Sequence, residues 1–218
     1  MQRLHTLCAG LAAGLLTASA AQAEGFYGGF EIARERLRFS PHYYTPSGDP
    51  DNRYVNRAHG IAGTLFAGRR WTLSERWSLA GEARLNRSDT RWRERLGEPA
   101  ALRYDIPYSA EIAVLPTWHA TPRVALFLDA GIALGRIRER KADSPLSTYD
   151  ERHWRAGLML GAGMEVRLGE AWSVRAGYRR TRYRSMDYST HDAGGAVVEH
   201  VRDRPQQSRW YAGLTRRF

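Results

Sequence analysis

Beyond its first two dozen residues the chain never stays apolar for long, yet it alternates with period two in segment after segment. The clearest stretch places Val124, Leu126, Leu128, Ala130, Ile132 and Leu134 on one face. Ala125, Phe127, Asp129, Gly131, Ala133 and Gly135 occupy the other, small but for one ring and one acid. Trp154 to Leu168 follows the same rule, and so do Trp172 to Tyr178 and Trp77 to Leu85. A helix needs apolar residues at i, i+3, i+4 and i+7, which these segments lack, so they read as strands apolar on one side. No run approaches the 18 or so apolar residues of a membrane helix.

Eight such segments are expected, at 25–39, 57–71, 76–94, 103–118, 122–140, 152–168, 171–188 and 206–218. The second is apolar on both faces. The connections alternate in length. Thr72–Glu75, Ala120–Pro122 and Gly169–Glu170 are short, whereas Ser40–Asn56, Arg95–Leu102, Lys141–Glu151 and Ser189–Pro205 are long. Short turns at one end and long loops at the other are the pattern of a membrane barrel. A soluble sandwich or lipocalin-like barrel shares the strand period but turns its mixed face to water. Here that face is rich in glycine and alanine, which suits a narrow lumen. The predicted fold is all-β, an eight-stranded antiparallel transmembrane up-and-down β-barrel.

The N-terminus fits export. Arg3 precedes an apolar run from Leu7 to Leu16, and Ala21-Gln22-Ala23 has the small-x-small form of a cleavage site. Residues 1–23 are therefore expected to be a cleaved signal peptide, leaving about 195 residues, 24–218, as one barrel domain. The single cysteine, Cys8, falls inside the leader, so the mature domain has no disulfide, thiolate metal site or cysteine nucleophile. A net charge of +10 would suggest nucleic acid in a cytoplasmic protein. Export removes that reading and leaves membrane phosphate as the polyanion on the route.

At the C-terminus Trp210, Ala212 and Leu214 alternate toward a final Phe218. With the opening Gly25-Phe26-Tyr27-Gly28-Gly29-Phe30, the whole mature chain resembles the small outer-membrane β-barrel family of opacity-type adhesins and OmpX- and OmpA-like barrels. The resemblance implies residence in the outer membrane and an assembly signal at Phe218 read by the barrel-assembly machinery. Arg216 departs from the pattern, which usually has an apolar or aromatic residue there.

Strand parity sends Glu31, Glu35, Glu82, Arg84, Glu111, Asp129, Arg155, Glu165, Arg167, Arg175 and Arg179 into the lumen. Eight strands leave only enough room for side chains. Unpaired charges there are costly, so Glu31, Glu82, Arg84, Glu111, Asp129, Glu165, Arg175 and Arg179 are expected to form a salt-bridge network rather than line a pore. An apolar ligand conduit is disfavoured for the same reason.

Arginines gather where strands run into long loops. Four alternating sets, Arg34, Arg36 and Arg38; Arg91, Arg93 and Arg95; Arg136, Arg138 and Arg140; Arg180, Arg182 and Arg184, continue the parity of the lipid-facing residues below. Guanidinium binds phosphate bidentately and snorkels readily. The sets are therefore expected to clamp the phosphates of lipopolysaccharide. Trp71, Trp77, Trp118 and Trp172 mark a belt at the turn end; Tyr104, Trp154, Tyr178 and Trp210 mark one at the loop end.

Catalytic patterns are sparse: there is no HExxH, Walker loop or GxSxG. None of the seven histidines has serine two positions on, the pair used by lipid A deacylases. His42, His191 and His200 are read as solvated loop residues, so no metal and no cofactor is expected. Tyr43, Tyr44, Tyr54, Tyr149 and Tyr188 give the loops contact residues for a host or phage surface ligand. The expected role is a non-enzymatic structural or adhesive barrel. A lipid A-modifying enzyme is the alternative, and a narrow pore a third.

Overall fold

The computed structural model describes residues 25–45, 47, 49–53, 55–95, 101–142, 149–191 and 197–218; the expected leader lies outside them. Every regular element among these is a strand: β1 (Phe26–Phe39), β2 (His42–Tyr44), β3 (Pro50–Arg53), β4 (Asn56–Thr72), β5 (Trp77–Ser88), β6 (Arg91–Arg95), β7 (Ala101–His119), β8 (Val124–Ala142), β9 (Tyr149–Arg167), β10 (Trp172–Tyr183), β11 (Met186–His191), β12 (Val197–Asp203) and β13 (Gln206–Arg217). The main sheet runs β5-β4-β1-β13-β10-β9-β8-β7, and β5 pairs with β7 to close the ring. β6 continues β5 past Asp89 and Thr90, so the wall is eight antiparallel strands closed by the pairing of β5 with β7.

Alternation decides which face looks where. In β1 Glu31, Ala33, Glu35, Leu37 and Phe39 are buried while Phe30, Ile32, Arg34 and Arg36 are exposed. Ile112, Leu158 and Leu160 are about 70% exposed (73%, 72% and 68%), an apolar belt that water would penalise and a bilayer would cover. β4, apolar on both faces, settles with Ala58, Ala62, Thr64 and Phe66 inward and Arg57, His59 and Ile61 outward. That parity also sends Arg70 into the lumen mouth, half-buried.

The turn end is tight. Leu73 N–H donates to Trp77 O at 2.9 Å, and Leu168 N–H to Trp172 O at 2.9 Å. Gly25 opens β1 with φ +91°, and a Cβ there would lie 2.5 Å from the Arg70 carbonyl oxygen, so only glycine fits without strain.

The loop end departs from expectation. Ser40–Asn56 and Ser189–Pro205, expected as loops, contribute β2, β3, β12 and part of β11 to a second sheet ordered β11-β12-β2-β3. The expected strand 171–188 breaks after Tyr183 and resumes as β11. These four strands continue β10, β13, β1 and β4 in the same order, so this side of the wall rises above the membrane. The segments are only three to seven residues long and mostly polar, too short for alternation to register.

A register shift between Asp105 and Tyr108 in β7 produces a second difference. A bulge reverses the side to which later residues point. Tyr104, expected in the outer aromatic belt, is instead buried, stacked on Phe39 with ring centroids 4.4 Å apart. Leu37, Ile106, Ile137, Tyr183 and Met186 pack around it, with Trp92 edge-on to Phe39 at 5.0 Å. The outer lumen is thus plugged by an apolar cluster, a layer that parity alone did not indicate.

Candidate functional site

Below that plug the lumen is ionic. Arg175 lies 2.6 Å from both Glu31 Oε1 and Glu82 Oε1. Arg179 reaches Asp129 at 2.9 Å and Glu31 at 3.3 Å. Arg84 holds Asp129 at 2.9 Å and also pairs with Glu82. Glu111 sits 3.8 Å from Arg84 and 3.7 Å from Arg179, with its close contact, 2.8 Å, to Arg209. Arg209 also bonds Glu35 at 2.8 Å. At the turn end Arg70 and Glu165 pair at 2.7 Å.

All eight residues expected in the lumen network therefore face inward and take part in ion pairs, with Glu165 in the separate Arg70 pair. Arg209 and Arg70 complete the set without having been expected. Arg209 was legible, since it alternates with the outward Trp210; Arg70 was hidden by the ambiguity of β4. Arg155 is half-buried, and Arg167 stands exposed at the turn end, away from the central pairs. Hydrogen bonds and rings take up part of the remaining polarity. Tyr27 donates to Glu82 at 3.0 Å, Gln207 to Glu35 at 2.8 Å, and Arg175 stacks 3.4 Å over the Phe66 ring. Side chains close the lumen, as expected at this strand number.

The outer face carries a different arrangement. Strand register aligns Arg182, Gln206, Arg38 and Arg57 in one row across β10, β13, β1 and β4. The next row toward the membrane is Arg180, Ser208, Arg36 and His59, followed by Tyr178, Trp210, Arg34 and Ile61. Ala176, Ala212, Ile32 and Gly63 come below. Guanidinium thus gives way to aromatic and then to aliphatic over roughly 20 Å of strand from Arg38 to Ile32. No carboxylate stands in the upper two rows. Tyr178 packs on Trp210 with centroids 4.7 Å apart, anchoring the interface.

On the opposite side an acid stands among the arginines. Arg103 and Arg91 lie 2.7 and 3.9 Å from the buried Asp105, which is also the register partner of Arg138. Arg93 and Arg184 are exposed, Arg136 half-buried. Arg95 and Arg140 are placed by strand register alone, opposite Ala101 and Arg103. The four arginine sets are therefore unequal, and β10-β13-β1-β4 carries the uncompensated face.

Above it a groove of about 380 Å³ is lined by Arg38, His42, Tyr44, Arg202, Arg204 and Gln206. Arg202 pairs with Asp187 at 2.6 Å, and Arg204 has no acidic partner among the described residues. Asp203 points to the other side. Its carboxylate accepts the amides of Ser40 at 2.8 Å and Arg204 at 2.7 Å, and burial pushes its pKa up to about 6.

Two serine–histidine contacts exist, Ser78 with His119 at 2.9 Å and Ser189 with His200 at 2.8 Å. Among the described residues neither ring has a carboxylate on its second nitrogen, the third member such a pair needs to act as a nucleophile.

A family model described as outer membrane protein beta-barrel domain matches residues 6–218. No curated protein matches the chain. Among solved structures, the Escherichia coli outer membrane protease OmpT aligns at TM-score 0.56 and 8% identity, over 93% of this chain and 99% of that one. Neisserial surface protein A gives 0.42 and 17%, over 88% and 99%. Ail, the attachment invasion locus protein of Yersinia pestis, gives 0.40 and 13%, over 86% and 99%. At 8% identity the likeness to OmpT extends to the barrel fold and no further. The family model covers the whole of the eight-stranded wall, and the chain belongs to the outer membrane protein β-barrel domain family and resides in the outer membrane.

Proposed function

We propose that this protein is a non-enzymatic surface barrel fixed in the outer leaflet by its arginines, which clamp the phosphates of lipopolysaccharide. The observation that carries the reading is the pair of acid-free rows across β10-β13-β1-β4, one residue step above Tyr178 and Trp210. That height is where the lipid phosphates lie, and guanidinium can replace the divalent cations that bridge them. The rising sheet β11-β12-β2-β3 is then the presentation surface, offering Tyr44 and its neighbours to a host or phage ligand. Phe218 serves assembly. The odd Arg216 is accommodated because its guanidinium lies over the Trp172 and Phe218 rings at 5.7 and 5.5 Å.

The test is lipopolysaccharide retained through detergent purification. Arg36→Gln/Arg38→Gln/Arg182→Gln should retain several-fold less than the parent, with neutralisation of Arg136, Arg138 and Arg140 having the smaller effect. Equal retention by all three proteins would overturn the clamp.

A further inference from the structure

The periplasmic end of the lumen opens into a cup of about 750 Å³, independent of the girdle above. It is blind, because the Arg70–Glu165 pair and the Tyr27–Glu82 bond close its inner end. Arg70, Arg76, Arg167 and Arg217 line it against two carboxylates, that of Glu75 and the terminal one of Phe218. The guanidinium groups of Arg76 and Arg167 have no bonded partner among the described residues. Arg70 is paired with Glu165, and Arg217 donates to the Gly169 and Glu170 carbonyls at 3.1 and 2.7 Å, so these two add charge to the wall. A neighbouring hollow of about 540 Å³ shares Arg167 and Arg217 and adds Arg123.

We propose that this cup is a binding site for a phosphate-bearing small molecule. The uncommitted guanidinium groups of Arg76 and Arg167 match phosphate oxygens in charge and geometry, and Arg70 and Arg217 keep the wall positive. A blind, protein-walled recess strengthens the attraction relative to open water. A soluble phosphomonoester or the headgroup of an anionic phospholipid from the inner leaflet carries this chemistry. His119, hydrogen-bonded to Ser78 in the wall, reports on the local field.

The experiment follows the His119 imidazole by NMR in nanodiscs, its resonance assigned with His119→Gln. Glycerol 3-phosphate in zwitterionic nanodiscs is compared with chloride at equal ionic strength, and separately with nanodiscs containing phosphatidylglycerol. The His119 titration should move upward with phosphate, and Arg167→Gln, altered at an exposed turn-end residue, should weaken binding about tenfold. A rise only with the soluble ester assigns a soluble ligand; a rise only with phosphatidylglycerol assigns the headgroup. No rise with either, or the same affinity in Arg167→Gln, overturns the site. Arg76→Gln gives a second variant with the same expectation.

Discussion

Arg209→Met should destabilise the barrel more than any other single change at a lumen arginine. Its guanidinium is the close partner of Glu111, at 2.8 Å, and the guanidinium partner of Glu35, also at 2.8 Å. Without it, Glu111 keeps only the contacts of 3.7 and 3.8 Å to Arg179 and Arg84. Glu35 keeps only the neutral donors Ser88 and Gln207, at 2.5 and 2.8 Å. Removing Arg179 is milder, because Glu31 and Asp129 retain arginines at 2.6 and 2.9 Å. Breaking a buried pair from one side costs about 3–5 kcal/mol, and here two carboxylates are stranded, which favours the upper end. With a urea slope of about 3 kcal/mol/M for a chain of this size, the unfolding midpoint should fall by roughly 1–2 M. The assay is the urea dependence of the heat-modifiable folded band after refolding into lipid vesicles. Adding Glu35→Gln and Glu111→Gln to Arg209→Met removes both stranded charges and should recover most of the loss. A shift below about 0.3 M for Arg209→Met, or a triple variant no better than the single one, would refute the ionic account of the lumen.

Other consequences concern the loop end and the wall. Because burial raises the Asp203 carboxyl to about 6, above its unfolded value near 4, the folded sheet binds more protons across that interval. The docking of β12 beside Ser40 should be strongest below pH 4 and weaken as pH rises through 6, by up to about 3 kcal/mol. Amide-exchange opening free energies should show this fall in the parent and not in Asp203→Asn, which keeps the acceptor oxygen; greater stability at pH 7.5 than at pH 5 would contradict it. Gly135→Ala should cost about 1–3 kcal/mol in the urea assay, since its Cβ would lie 2.7–2.9 Å from the buried Tyr183 ring. Gly63→Ala, with open space around it, should be neutral or slightly stabilising. Lipid A from cells with and without the protein should have the same mass, and gain or loss of an acyl chain would make it an enzyme.

The residues also explain which parts of this architecture were legible in sequence. Phe30 and Ile32 alternate with Glu31 and Ala33, so the direction of β1, and with it the lumen acids and outer arginines, followed from parity. The same rule failed at Tyr104, because a bulge reverses parity without leaving a mark in composition. It was mute in β4, where Ala62 and Ile61 are equally apolar, and so it missed Arg70. It could not register β2, β3, β11 and β12, which are too short for alternation to show and are joined into one sheet by the distant pairing of β12 with β2. Nor could it rank the arginine sets, because Asp105 comes to lie beside Arg91 and Arg103 only through the pairing of β6 with β7.

The most direct measurement compares the affinity of the purified barrel for bisphosphorylated and dephosphorylated lipid A in the same detergent. The arginine rows predict at least a tenfold preference for the phosphorylated lipid, lost in Arg36→Gln/Arg38→Gln/Arg182→Gln and reduced by salt. Equal affinity for the two lipids, or a preference that survives in the triple variant, would contradict the clamp.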